Sequence, residues 1–266
     1  MNSSKHIKTI EELYPDLSWD KSFDGIIGLT EAEDRCSEYF IKEYSHYIKV
    51  WEYGYYFISL LINKASVERS YSPLVALYVE AHSSLRCSFL CNLKGYHPEA
   101  ISLLRRVHEC CTKLMAGRAF PQKIWDIVQC SSLWKADSDL GIDLRWIYRL
   151  ESSYLHSNKL KVIGIGKKLK NKEEIGIPCG PQMNDNEIQI AANLSIFWIY
   201  ILILIAPRLF TDQIPDFWLN KYSQSYKLFK DHLKCLPKKN ALALEAEQIE
   251  NILDKIGPET FGISRK

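Results

Sequence analysis

Apolar positions along the chain recur at three- and four-residue steps in one segment after another, the spacing that keeps them on one face of a helix. In the segment after His97-Pro98, Ala100, Leu103, Leu104, Val107, Cys111, Leu114 and Met115 follow this rhythm and predict a core-facing stripe. Ser72-Pro73 opens a helix that Gly95 ends, and His97-Pro98 opens another that Gly117 ends. Proline in the first turn with glycine just past the last is the expected punctuation, and the short link between the two predicts an antiparallel hairpin. Upstream, Thr30-Glu-Ala-Glu33 has the form of a capping box and predicts the start of an aromatic-rich helix through Tyr39, Tyr47, Trp51, Tyr55 and Leu60 to about Ala65.

Further helices are predicted around Lys123 to Trp134, from about Leu140 to Asn158, near Trp218 to Leu233, and from Asn240 to Ile256 before Gly257-Pro258. Ile188 to Ile205 is apolar on every side, so it belongs in a core or in lipid. Its uninterrupted part is shorter than the roughly 20 residues of a membrane span. Gln189, Asn193 and Ser195 break its first half, and Arg208 follows, which favours a central helix buried by the others. Residues 162–186, rich in glycine, proline and lysine, form the one long irregular stretch. No alternating strand pattern or internal repeat is evident, so the expected class is all-α. The expected organisation is an extension over 1–29, one helical-bundle domain over 30–258 and a tail over 259–266.

At 266 residues with 47% hydrophobic content the chain can bury a sizeable core. A net charge of +2 is too small to make it a general polyanion binder, so affinity for nucleic acid would need a local patch. Eight cysteines are scattered without the paired CxxC spacing of a zinc site, and no HExxH or GxSxG motif occurs. Met-Asn-Ser-Ser-Lys-His lacks a signal-peptide core, so reduced thiols in a cytoplasmic protein are expected, with no metal and no cofactor. Gly164-Ile-Gly166-Lys167-Lys168 lacks the spacing of a phosphate loop.

Candidate chemistry centres on Arg149-Leu-Glu-Ser-Ser-Tyr-Leu-His156. Seven positions are nearly two helical turns, which puts Arg149 and His156 on one face with Ser152 and Ser153 between them, a polar stripe suited to a phosphate-bearing ligand. Lys167 and Lys168 are either a solvated connection or a patch that steers phosphate towards it. Arg105 and Arg106 lie four and three residues before Glu109, the spacing of helical ion pairs. The plainer reading of the stripe pairs Arg149 with Glu151 and leaves His156 near a helix C-terminus, where the dipole favours it.

Gly95-Tyr-His-Pro-Glu-Ala100, then Leu103-Leu-Arg105 with Glu109, then Tyr148, Ser152, Tyr154 and His156 together resemble a set of bacterial all-helical proteins. Arg149 and His156 fit the R-x(4–6)-H signature of the HEPN superfamily, and the likeness spans about Pro73 to Ile205. The resemblance implies a HEPN-like bundle and a metal-independent endoribonuclease of a defence or toxin system, working as a homodimer with a composite cleft and alongside an operon-encoded protein partner. On that reading His156 moves protons at the 2′-hydroxyl or the leaving oxygen, Arg149 stabilises phosphoryl charge, and Tyr154 and Asn158 position RNA. Leu150 follows the arginine where many nuclease members carry a polar residue. The alternative is a non-catalytic interaction module, with Tyr47, Trp51, Tyr53, Tyr55 and Tyr56 supporting partner contacts. An open cleft around Arg149 and His156 favours the nuclease, whereas both residues buried or paired away favours the module.

Overall fold

The structure, a computed structural model, describes residues 25–64, 72–129, 144–155, 181 and 183–209, with isolated positions at 224, 227, 228 and 231. Among the described residues it is all-helical, without strands. In chain order the helices are α1 (Gly25–Glu43), α2 (Ser45–Lys64), α3 (Ser72–Leu93), α4 (His97–Ala119), α5 (Ile124–Gln129, entered through a 3-10 turn at Pro121–Lys123), α6 (Arg145–Leu155) and α7 (Asp185–Leu209).

Helix α7 is the centre of the bundle, and α2, α3 and α4 pack around it. The consecutive residues Ile196, Phe197, Trp198, Ile199, Tyr200, Ile201, Leu202 and Ile203 are all buried, although successive side chains point in every direction around the helix. Removing each large apolar side chain from water contributes on the order of 1.5–3 kcal/mol, so α7 is a main source of the bundle's cohesion. The helix begins at Asp185, earlier than the apolar run suggests. The Asn184 side chain accepts from the Glu187 backbone N–H at 3.4 Å, and Asp185 and Glu187 place negative charge in the first turn. Both features favour a helix N-terminus.

The hairpin of α3 and α4 forms as its punctuation predicts. Gly95 has φ 89°, Tyr96 N–H donates to Cys91 O at 2.8 Å, and Gly95 N–H donates to Asn92 O at 3.2 Å. This is a Schellman end, in which glycine takes the left-handed conformation that costs other residues energy. The buried His97 Nδ1 lies 2.7 Å from Asn92 Oδ1, and Asn92 Nδ2 donates to Ile188 O at 3.2 Å. The turn is thereby tied to α7. In the stripe predicted on α4 all positions but Leu103 are buried, and two polar side chains, His108 and Thr112, share the buried side.

Three local signals mean something other than the sequence suggests. Gly117 does not end α4, which continues to Ala119; a Cβ there would lie 2.6 Å from Leu74 Cδ2, so glycine permits close packing on α3. Thr30 does not cap, because the helix already runs from Gly25, and the Glu33 carboxylate accepts from the Tyr96 hydroxyl at 2.9 Å. The single aromatic helix predicted from Thr30 to Ala65 is two, joined at Tyr44, whose buried ring anchors the joint while Ser45 starts α2. Beyond α5, the predicted reach to Trp134 lies outside the described residues, as do the C-terminal helix and most of the segment from Trp218 to Leu233.

Rings bind α2 to α3. Phe89 stacks on Trp51 at 4.1 Å between centroids, Trp51 on Tyr55 at 4.5 Å and Tyr55 on His82 at 4.3 Å, while Ser59 Oγ lies 2.9 Å from His82 Nε2. Gly54, on the same helix, faces α7 so closely that a Cβ would overlap the Ile199 methyl group. Alanine ordinarily favours a helix over glycine by up to about 1 kcal/mol. Here the opposite is expected: Gly54→Ala should destabilise the fold by about 1–3 kcal/mol, the range for overpacking a filled core. Urea denaturation checks this, and a stabilised Gly54→Ala would contradict the close approach.

Candidate functional site

Helix α6 divides cleanly into an inner and an outer face. Ile147 and Glu151, one turn apart, are buried with Leu144 just before them. Arg145, Arg149 and Ser153, also one turn apart, are exposed. Arg149 makes no hydrogen bond or ion pair among the described residues. Ser153 Oγ donates to Leu150 O at 2.7 Å within the helix, and Ser152 Oγ is enclosed without a partner among the described residues. The predicted polar stripe is therefore narrower than its spacing suggests, because turning Glu151 inward carries Ser152 partly out of solvent. His156, Asn158, Lys167 and Lys168 lie outside the described residues.

Glu151 is not the partner of Arg149. Its side chain is 0% exposed and bridges two other helices: Oε2 lies 2.8 Å from His108 Nδ1 on α4, and Oε1 accepts from Trp198 Nε1 on α7 at 2.9 Å. A carboxylate out of water needs such donors, since an unpaired buried charge costs several kcal/mol. The His108 ring also packs 4.6 Å from the Trp198 ring and edge-on to Tyr148 at 5.9 Å. His108 Nε2 and, one turn later, Thr112 Oγ1 are buried without hydrogen-bond partners among the described residues.

Above this centre Arg105 Nη2 donates to the Tyr148 hydroxyl at 2.7 Å, and Arg105 Nε pairs with Glu109 at 3.3 Å. Arg106 joins Glu109 at 3.3 Å, and its Nε donates to Glu80 on α3 at 2.7 Å. Arg105 and Glu109 thus brace α6 from behind through Tyr148. Tyr154 is half-buried against the core, and burial, with Glu187 nearby, pushes its hydroxyl up to about 12.

Sequence reasoning singled out neither His108, Trp198 and inward-facing Glu151 nor Arg145. For His108 a signal existed: it sits between core positions Leu104 and Cys111, where a polar side chain must find a buried partner. No local pattern pairs it with a residue 43 positions away.

Two cavities between the described helices measure about 10 and 20 Å³. Each holds a water at most. The first is lined by Phe40, Tyr47, Trp51, Ser88, Asn92 and Ser195 among others. Neither has room for a substrate.

A second carboxylate closes the joint of α1 and α2 onto the start of α7. The hydroxyls of Tyr39 and Tyr44 both donate to Asp185 Oδ1 at 2.7 Å. These bonds, Tyr44 first and Tyr39 second, hold the Asp185 carboxyl below its ordinary range. Because the folded value is depressed, the clasp stabilises the fold above the ordinary carboxylate pKa of about 3.9 and is lost as pH falls through the folded value. The gap in thermal midpoint between wild type and Asp185→Asn should accordingly be constant near neutral pH and shrink below about pH 4. A gap that stays unchanged into acid would show that the charge on Asp185 contributes nothing.

Removing the other carboxylate is expected to cost more. Glu151→Ala strands the Trp198 donor and the His108 ring nitrogen, at about 1–3 kcal/mol for each buried unsatisfied group. Glu151→Gln, which retains an acceptor, should cost less. Denaturant midpoints for the two variants decide it, and equal losses would contradict the bridge. Comparison with family models, with curated proteins and with solved structures finds no match for this chain.

Proposed function

We propose that the chain is a HEPN-like, metal-independent endoribonuclease whose cleavage site lies on the outer face of α6, with Arg149 and His156 as its catalytic pair. The carrying observation is that Arg149 is exposed and unpaired among the described residues, while Glu151, the one carboxylate of α6, is turned into the core. A cation held on a braced helix with no neutralising neighbour among the described residues suits the charge that builds on phosphoryl oxygens in a transition state. His156 takes the proton of an RNA 2′-hydroxyl as that oxygen attacks the adjacent phosphorus, and an acid protonates the departing 5′-oxygen, leaving a cyclic phosphate. In a homodimer the second His156 supplies that acid. Lys167 and Lys168 add charge for the backbone, and the setting proposed is a bacterial defence or toxin system in the cytoplasm.

A second reading, a helical interaction module, draws on Trp125 and Tyr56, which are 66% and 65% exposed. Large exposed aromatics are frequent anchors of protein contacts. Incubating total RNA with wild type, Arg149→Ala and His156→Ala in EDTA separates the two. The nuclease predicts fragments with wild type and a rate lower by about 10²–10⁴-fold in His156→Ala, the usual contribution of general acid–base catalysis. Intact RNA with folded wild type at high concentration, together with a co-purifying protein that Trp125→Ala releases, favours the module.

A further inference from the structure

We infer that Arg145 and Arg149 together form a phosphate-binding rail for single-stranded RNA, with Arg145 a positioning residue one helical turn ahead of the proposed cleavage site. The inference deepens the nuclease reading and rests on it for the identity of the ligand. Both arginines are exposed on the outer face of α6, four residues apart. That spacing sets their Cβ atoms about 5–6 Å apart, so two forked side chains can address consecutive phosphates of one strand. Arg145 already engages a neighbour, but a guanidinium carries five N–H donors and can hold a phosphate as well.

The rail is rigid because its helix is pinned on the opposite side. Glu151 is fastened to both His108 and Trp198, and Tyr148, between the two arginines in sequence, is held by Arg105. These bonds fix the rotation of α6 about its axis, so only the arginine side chains, and not the helix that carries them, are ordered when RNA binds. Arg145 also opens the helix, where backbone N–H groups add partial positive charge. The only acidic side chain of α6 is the buried Glu151, so α6 itself contributes no repulsion on this face. Arg105 and Arg106 are differently placed, since Glu109 and Glu80 partner them.

The test uses the full chain carrying His156→Ala, so that RNA stays intact, and follows a short fluorescein-labelled oligouridylate by anisotropy across a salt series. For a single strand, the slope of log K against log salt changes by about 0.7 for each phosphate that the protein no longer neutralises. Arg145→Gln should flatten the slope by about 0.7, and Arg145→Gln with Arg149→Gln by about twice that. Arg86→Gln, an exposed arginine on α3, should leave it unchanged. An unaltered slope in Arg145→Gln, an equal flattening in Arg86→Gln, or no binding at all would overturn the rail. Circular dichroism melting verifies that each variant is folded. The nuclease reading fails separately: slopes that change as expected with RNA that wild type never cleaves would leave the rail standing alone, whereas cleavage with an unaltered slope would remove only Arg145.

Discussion

Burying α7 on all sides is the constraint on which the rest of the structure depends. A helix apolar all round has no preferred face, so hydrophobic burial alone would leave its rotation and depth undefined. Its few polar groups supply the definition. Ser195 accepts from Trp51 Nε1 at 2.9 Å, Leu202 O accepts from the Tyr78 hydroxyl at 3.1 Å, and Ile188 O accepts from Asn92. Asn193 meets the Tyr47 hydroxyl, Asp185 takes two tyrosines, and Trp198 reaches Glu151. Each bond comes from another helix, so α1, α2, α3 and α6 have their positions read off α7. Asn193 and Ser195, two of the interruptions that argue against a membrane span in the sequence, are among the points at which the bundle is keyed together.

This accounts for the abundance of tyrosine and tryptophan around α7. An aromatic ring supplies apolar area to the core and a single donor at its tip, which suits a helix that offers isolated acceptors within an apolar surface. The stack from Phe89 to His82 extends the same logic outward, where α2 and α3 meet through ring faces.

Punctuation and periodicity were the legible part of the sequence. Ser72-Pro73, Gly95 and His97-Pro98 mark real boundaries because their reasons are local: a fixed φ, a missing N–H, a left-handed residue. Gly117 carries the same letter as Gly95 for an unrelated reason, its distance from Leu74, and no neighbour in sequence reveals that. Thr30 and Glu33 have capping-box spacing, but Tyr96 claims the carboxylate from 63 positions away. At the site, the shared face of Arg149 and Ser153 followed from helix geometry alone. The fate of Glu151 did not, since an inward carboxylate makes sense only once His108 and Trp198 are seen to converge on it.

The two-sidedness of α6 has an evolutionary consequence. Its inner residues are interlocked with two other helices, so substitutions at Ile147 or Glu151 are felt throughout the bundle. Its outer positions 145, 149 and 153 are exposed and touch little of the core, so they can drift or be selected at a smaller folding penalty than the inner ones. The helix acts as an exchangeable faceplate on a fixed mount, and descendants of one ancestral bundle could diverge in what they recognise while remaining superimposable inside.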